Sequence, residues 1–481
     1  MKHFTYKTLS ELQQGAETAG ASHVRFEENS ESIKSVLARK VRVGNFTVGN
    51  SIAIHPMEGC DATLDGRPDE LTNRRYERFA RGGAKLIWFE ATAVCPEGRA
   101  NPRQLLINRK TLKDLASMLA LTRRAHLEEF GTTDDLLEPL QLTHSGRYSV
   151  PQRIIAYHNP LIDQKTQTPA DYPVISDDRL EQLEDEYVEA AKLAVEAGFR
   201  AVDVKATHGY LVNELLGARV RPGRYGGSLE NRTRFLKNVL GKIRAALGDK
   251  LILCVRLGCF DSVPYQRDSA TGNGVPLDYT TPYPHGFGVD PNNPLKEDTA
   301  ELKTVVGWLK DWGVKLLNVS LGCPYYNPHV TRPFERPDEG NYEEPEHPIS
   351  GVDRHFRIAG ELQRTFPDLP IVGSGYSWLQ IYAPHAAAKN IAEGNASFFG
   401  IGRNSLAYPD FARDVLQRGE LDERRVCKTL TYCTFLMRQK DHPLGQFPTG
   451  CPPFDKSVYG PIMKEARDLQ RRAKAELTKI S

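Results

Sequence analysis

Eight short apolar or β-branched runs, each followed by a helical pattern, do most to limit what this chain can fold into. They are SIAIHP (51–56), KLIWFE (85–90), PLQLTH (139–144), RAVDVKA (200–206), KLILCVRL (250–257), VKLLNVSL (314–321), PIVGSG (370–375) and SFFGIGR (397–403). Near-continuous apolar strands are buried on both faces, as in a parallel sheet. Eight strand–helix alternations predict an α/β fold, a (β/α)8 TIM barrel with long βα loops and a helical C-terminal extension. Strand count alone leaves a doubly wound open sheet as the alternative.

Between the runs, 178–199 reads as an amphipathic helix capped by Asp177 or Asp178 and stopped by Gly198. A second helix is expected over 229–247, ending at Gly248. The domain reading is an N-terminal, partly ordered arm (1–36), a barrel (37–415) and a helical extension (416–481). Two Gly/Pro-rich stretches, 258–297 and 322–350, follow the fifth and sixth strands. Loops that long are usually functional, and here they fall at the C-terminal face, where barrel active sites sit.

Composition narrows the partners. Lys and Arg total 63 against 61 Asp and Glu, a net charge of +2, without the basic excess that nucleic acid calls for. No apolar run approaches the roughly 20 residues that span a bilayer, and the first residues carry no apolar leader. Eight Cys in 481 residues make no disulfide scaffold, so a reduced, cytoplasmic protein acting on a small molecule is expected. A homo-oligomer stays open.

Walker A, HExxH and GxSxG patterns are missing, and no GxGxxG links a strand to a helix. Polar residues and glycines gather instead at strand C-termini: Pro56, Met57 and Glu58; Glu90 and Ala91; Gln141 and His144; Lys205, His208 and Tyr210; Arg256; Gly373, Ser374 and Gly375; Gly402 and Arg403. A barrel collects such positions in one mouth. The last two groups follow strands seven and eight, where glycine lets a phosphate approach the backbone and Arg403 adds charge.

These residues resemble a known family. Pro56-Met57, EATAVCPEGR (90–99), QLTHSGR (141–147), HGYL (208–211), GRYGGSLENRTRF (223–235), VRL (255–257) and GIGR (400–403) follow the order seen in the Old Yellow Enzyme family of NADH:flavin oxidoreductases. The resemblance covers about residues 40–410 and implies an FMN-containing barrel passing hydride from NADH or NADPH, through FMN N5, to an activated C=C bond. It further implies that Pro56, Met57 and Ala91 cradle the isoalloxazine and that Gln141 binds its pyrimidine edge. Arg256 would face N1 and O2. Gly373, Ser374, Gly375, Gly402 and Arg403 would bind the phosphate. His208 would hold the acceptor's oxygen and Tyr210 would protonate its carbon.

Three departures stand out. Lys205 replaces the first histidine of the His-x-x-His pair; an ammonium still donates to a developing enolate and favours anionic substrates. Glu58 replaces the Thr or Cys usual near the flavin, and a carboxylate there calls for a cation such as Lys205. In the tail, Cys427, Cys433 and Cys451 sit where larger relatives carry an iron–sulfur motif, but Leu430 occupies a ligand position, so no metal is expected. Tyr325 and Tyr326 are candidates to stack over substrate, against plain loop packing. Cys60 is not expected to act as a thiolate. The other readings are an FMN enzyme oxidising an amine, alcohol or saturated substrate, a non-catalytic flavin barrel, and a Schiff-base barrel using Lys205.

Overall fold

The computed structural model describes residues 3–338 and 341–480. All eight apolar runs form strands: β1 (Ile52–Ile54), β2 (Leu86–Ile87 and Phe89–Ala93), β3 (Pro139–Thr143), β4 (Ala201–Ala206), β5 (Ile252–Gly258), β6 (Leu316–Ser320), β7 (Ile371–Gly373) and β8 (Phe398–Ile401). The sheet runs β2–β1–β8–β7–β6–β5–β4–β3–β2, every pairing parallel. It begins on Leu86–Ile87 and ends on Phe89–Ala93, two halves of one strand broken at Trp88, so it closes on itself. Closure excludes the doubly wound alternative.

The outer ring is α1 (Glu70–Ala80), α2 (Leu112–Phe130), α3 (Asp177–Glu196), α4 (Arg234–Leu247), α5 (Thr299–Asp311), α6 (Pro348–Thr365), α7 (Ala383–Ala392) and α8 (Phe411–Arg418). Two helix expectations need correction. Ser176, not an aspartate, caps α3, its Oγ accepting from Arg179 N at 3.1 Å. Asp177 is engaged elsewhere, by the Arg221 guanidinium and the Arg224 amide. The segment 229–247 is not one helix but breaks at Thr233 into Leu229–Arg232 and α4. Thr233 Oγ1 bonds back to Leu229 O at 2.8 Å, the local competition that disfavours hydroxyl residues inside helices.

Side-chain alternation along the strands builds the mouth. In β4, Val202, Val204 and Ala206 pack outward against the helices, while Ala201 joins the interior cluster. Asp203 and Lys205 share the face of Ala201. In β5, Leu253, Val255 and Leu257 face out, Ile252 and Cys254 face in, and Arg256 follows them. Lys205 and Arg256 are register partners at the top of the barrel. Lower down, Ala53, Leu86, Trp88, Leu316, Val372 and Phe398 fill the interior, joined by Val43 and Val48 of the hairpin Val41–Val43/Phe46–Val48.

The long segments are structured. The 258–297 loop carries two hairpins, Tyr265–Arg267/Gly274–Pro276 and Val289–Asp290/Asn293–Glu297. Near the N-terminus, helices Leu9–Thr18 and Ser30–Leu37 bury Leu12, Ala16, Ile33, Val36 and Leu37 against the main core. Beyond α8, helices Tyr432–Arg438 and Lys456–Ile480 share a small apolar cluster, and Asp455 ties this segment to Arg74 and Arg78 of α1.

Candidate functional site

At the C-terminal ends of the strands lies a cavity enclosing about 1170 Å³, its open mouth included. It collects Pro56, Met57, Glu58, Gln141, Lys205, His208, Tyr210, Arg256, Tyr325, Ser374, Gly375, Gly402 and Arg403 from the sequence-derived set. Three members fall outside it. Tyr326 is a correction: the loop sends Tyr325 toward the mouth and Tyr326 into a separate pocket beside Tyr157 and Tyr283. Ala91 is fully buried, its carbonyl accepting from Gln104 Nε2. Gly373 packs at the end of β7 against Tyr376.

Glu58 centres one wall. Its Oε1 accepts from Lys205 Nζ at 3.1 Å and from Tyr210 OH at 3.0 Å. Tyr210 OH also meets Tyr325 OH at 3.0 Å, and Lys205 Nζ lies 3.7 Å from the Tyr210 ring centroid. The ammonium is thus held by a carboxylate and an aromatic face together. Burial lowers the Lys205 pKa, an effect that Glu58 opposes. Burial, then Glu58, pushes Tyr210 well up, so its phenol keeps its proton. His208 sits at φ +67°, a backbone conformation uncommon outside glycine, and its Nε2 meets Ser320 Oγ at 3.1 Å. Burial and the neighbouring Arg256 and Lys205 hold its pKa well below 6.5, leaving a neutral imidazole.

Below the mouth, a fully buried Asp203 organises the floor. Its Oδ2 accepts from Gln141 Nε2 at 2.6 Å and Trp88 Nε1 at 3.0 Å, and its Oδ1 accepts from Arg256 N at 2.6 Å. Gln141 also lines the cavity. Arg256 Nη1 donates to Pro56 O at 3.2 Å, while its Nε is buried without an acceptor. Burial brings the Arg256 pKa down to about 10, leaving it a cation at neutral pH.

Sequence reasoning missed several lining groups. His55 bridges Asn318 and Ser374 at 3.1 and 3.2 Å, and Arg332 enters from the 322–350 loop. Cys433, Thr434, Met437 and Thr449 close one side from the C-terminal segment. The tail residues carried no local sequence signal. Cys60 is buried and its pKa lies well up, which makes it a thiol. His144 is buried too, its Nδ1 accepting from Gly146 N, a structural contact.

Comparison with known proteins places this geometry. The model of the NADH:flavin oxidoreductase / NADH oxidase family matches residues 39–273. An NADPH dehydrogenase of Bacillus pumilus is 30% identical over 282 residues, covering 58% of this chain and 70% of that protein. The chain belongs to the NADH:flavin oxidoreductase / NADH oxidase family. An NADH oxidase of Thermoanaerobacter brockii is 25% identical over 402 residues, covering 80% of this chain but about half (51%) of that longer protein. Among solved structures, the Old Yellow Enzyme homologue of Zymomonas mobilis superposes with a TM-score of 0.57 at 22% identity, covering 82% of this chain and 96% of that one. A 2-naphthoyl-CoA reductase reaches a TM-score of 0.66 at 17% identity, covering 90% and 58%. These structures share the barrel fold.

Family membership makes the chain an FMN-dependent oxidoreductase fed by NADH or NADPH, and the cavity fits that cofactor. Buried guanidinium atoms without acceptors, Arg256 Nε and Arg403 Nη1, face an anionic ligand's needs. Gly375, at φ +93°, holds a turn where a Cβ would lie 3.0 Å from the His355 side chain, so the backbone stays open for a phosphate.

Proposed function

We propose that this family member reduces an activated C=C bond of a small-molecule acceptor, most readily one bearing a negative charge. The observation that carries the reading is the convergence of Lys205, His208 and Tyr210 in one mouth, with Glu58 bonded to two of them. When bound, FMN supplies hydride transfer from the nicotinamide to the acceptor. Pro56, Met57, Gln141 and Arg256 would hold the ring, and Ser374, Gly375, Gly402 and Arg403 the phosphate end. Lys205 and His208 polarise the acceptor's carbonyl as donors, where preorganised hydrogen bonds weigh most. Tyr210 keeps its proton until the acceptor's α-carbon needs it, and Tyr325 lies within reach to replace it. Eight cysteines without a disulfide suit a reducing, cytoplasmic setting.

The test is anaerobic mixing of the NADPH-reduced holoenzyme with 2-cyclohexenone. Reoxidation of the flavin is expected. His208→Ala should slow that phase by about 10²-fold, the usual cost of one lost oxyanion donor, with flavin still bound. Failure of any enone to reoxidise the flavin refutes the reading. The opposite direction, oxidation of an amine or alcohol, draws on the Glu58 carboxylate as a ready base; bleaching by such a substrate without NAD(P)H would establish it instead.

A further inference from the structure

The 322–350 loop contributes a cation that neither the sequence motifs nor the barrel's usual phosphate positions account for. Arg332 caps the short helix Pro328–Thr331 and lines the same cavity as Arg403. Its Nε and Nη2 are buried and meet no acceptor. Arg403 is in a similar state: Nη2 donates to Pro333 O at 2.5 Å, while Nη1 is buried and unpaired. Arg403 thus bonds to the residue that follows Arg332, and both side chains line one cavity.

Carboxylates nearby are already engaged. Asp338 accepts from Arg438 Nη1 at 2.5 Å, and Glu344 Oε1 accepts from Phe334 N at 2.5 Å. No ion pair to Arg332 or Arg403 occurs among the described residues. Arg438 adds a third guanidinium, its Nη2 on Pro324 O at 2.7 Å. Burial and the repulsion of Arg438 and Arg403 bring the Arg332 pKa down to about 10, so it stays charged at neutral pH. Buried donors left unmade are costly, and like charges side by side cost more. An oxyanion removes both costs at once, since planar guanidiniums match phosphate and carboxylate oxygens in pairs.

We propose that Arg332 and Arg403 form a two-guanidinium clamp for one oxyanion, with Arg332 as its unassigned half. The oxyanion comes either from the flavin nucleotide's phosphate or from an acidic group on the acceptor. The inference rests on the flavin-binding reading of the cavity, and its test separates the two sources.

FMN and riboflavin affinities are measured by flavin fluorescence for wild type, Arg332→Gln and Arg332→Lys. Steady-state constants of the holoenzymes follow for 2-cyclohexenone and for 4-oxo-2-pentenoate, a neutral and an acidic enone. Loss of about tenfold in FMN affinity in Arg332→Gln, with riboflavin unchanged, assigns the clamp to the cofactor's phosphate. Unchanged FMN affinity with a tenfold rise in KM for 4-oxo-2-pentenoate alone assigns it to the acceptor. Arg332→Lys keeps the charge and should show the smaller effect in either case. Equal changes for FMN and riboflavin, together with equal changes for both enones, overturn the proposal. A wild-type protein that takes up no FMN defeats the flavin reading instead.

Discussion

At the scale of single residues, the mouth is a balance of charge around Glu58. Lys205 would be a poor cation if left alone, because burial disfavours its charged form; the carboxylate beside it restores part of the loss. The sign of a substitution follows. Lys205 sits below the ordinary value of 10.5, so acceptor turnover that needs the ammonium should fall on an alkaline limb below that pH. Glu58→Gln removes the group that raises it, so the limb should move to lower pH, read from kcat/KM against pH with 4-oxo-2-pentenoate. A limb that stays in place would detach Lys205 from the acceptor. Much of this wall was legible beforehand. Their places at the C-terminal ends of apolar runs put Lys205, Gln141 and Arg256 in one barrel mouth. Asp203 was not singled out, although it shares a face with Lys205, because a single acid in a strand has no motif around it. Its role depends on Trp88 and Gln141, which only closure of the barrel brings near.

Among the elements, the loops after β5 and β6 and the C-terminal segment shape what the strands present. Asp261 anchors the first loop. It is buried, accepts from Phe287 N at 2.7 Å and Asn213 Nδ2 at 3.1 Å, and its backbone carbonyl receives Asn327 Nδ2 from the second loop at 2.7 Å. Burial raises its carboxyl to about 7 from 3.8. The folded protein then keeps a proton that the unfolded chain loses. The contribution is whole below pH 3.8 and is lost as pH climbs to about 7, on the order of 4 kcal/mol across the window. Asp261→Asn should flatten the decline of Tm between pH 4 and 7, measured by thermal unfolding; an unchanged slope would place the titration elsewhere. Composition marked these stretches as functional loops, but not their hairpins, because Tyr265–Arg267 and Gly274–Pro276 are too short and polar to show a strand period. The tail was harder still. Cys433 and Met437 reach the cavity only because Asp455 and the Phe435–Tyr459 cluster hold the segment against the barrel, a tertiary fact without a local signature.

For the whole molecule, eight apolar runs sufficed to state a covered parallel sheet, since near-continuous burial leaves a strand little other choice. What they could not state was closure, which depends on the second strand pairing with β1 on one side and β3 on the other. Closure brings residues from β1 to β8 around a single cavity, and the account stands on that cavity holding a flavin that NAD(P)H reduces. The direct measurement is the visible absorption spectrum of the purified, FMN-supplied protein under anaerobic conditions, before and after adding NADH or NADPH. Flavin bands that travel with the protein and bleach with at least one nucleotide are predicted. A protein that carries no flavin after supply, or whose flavin resists both nucleotides, would contradict it.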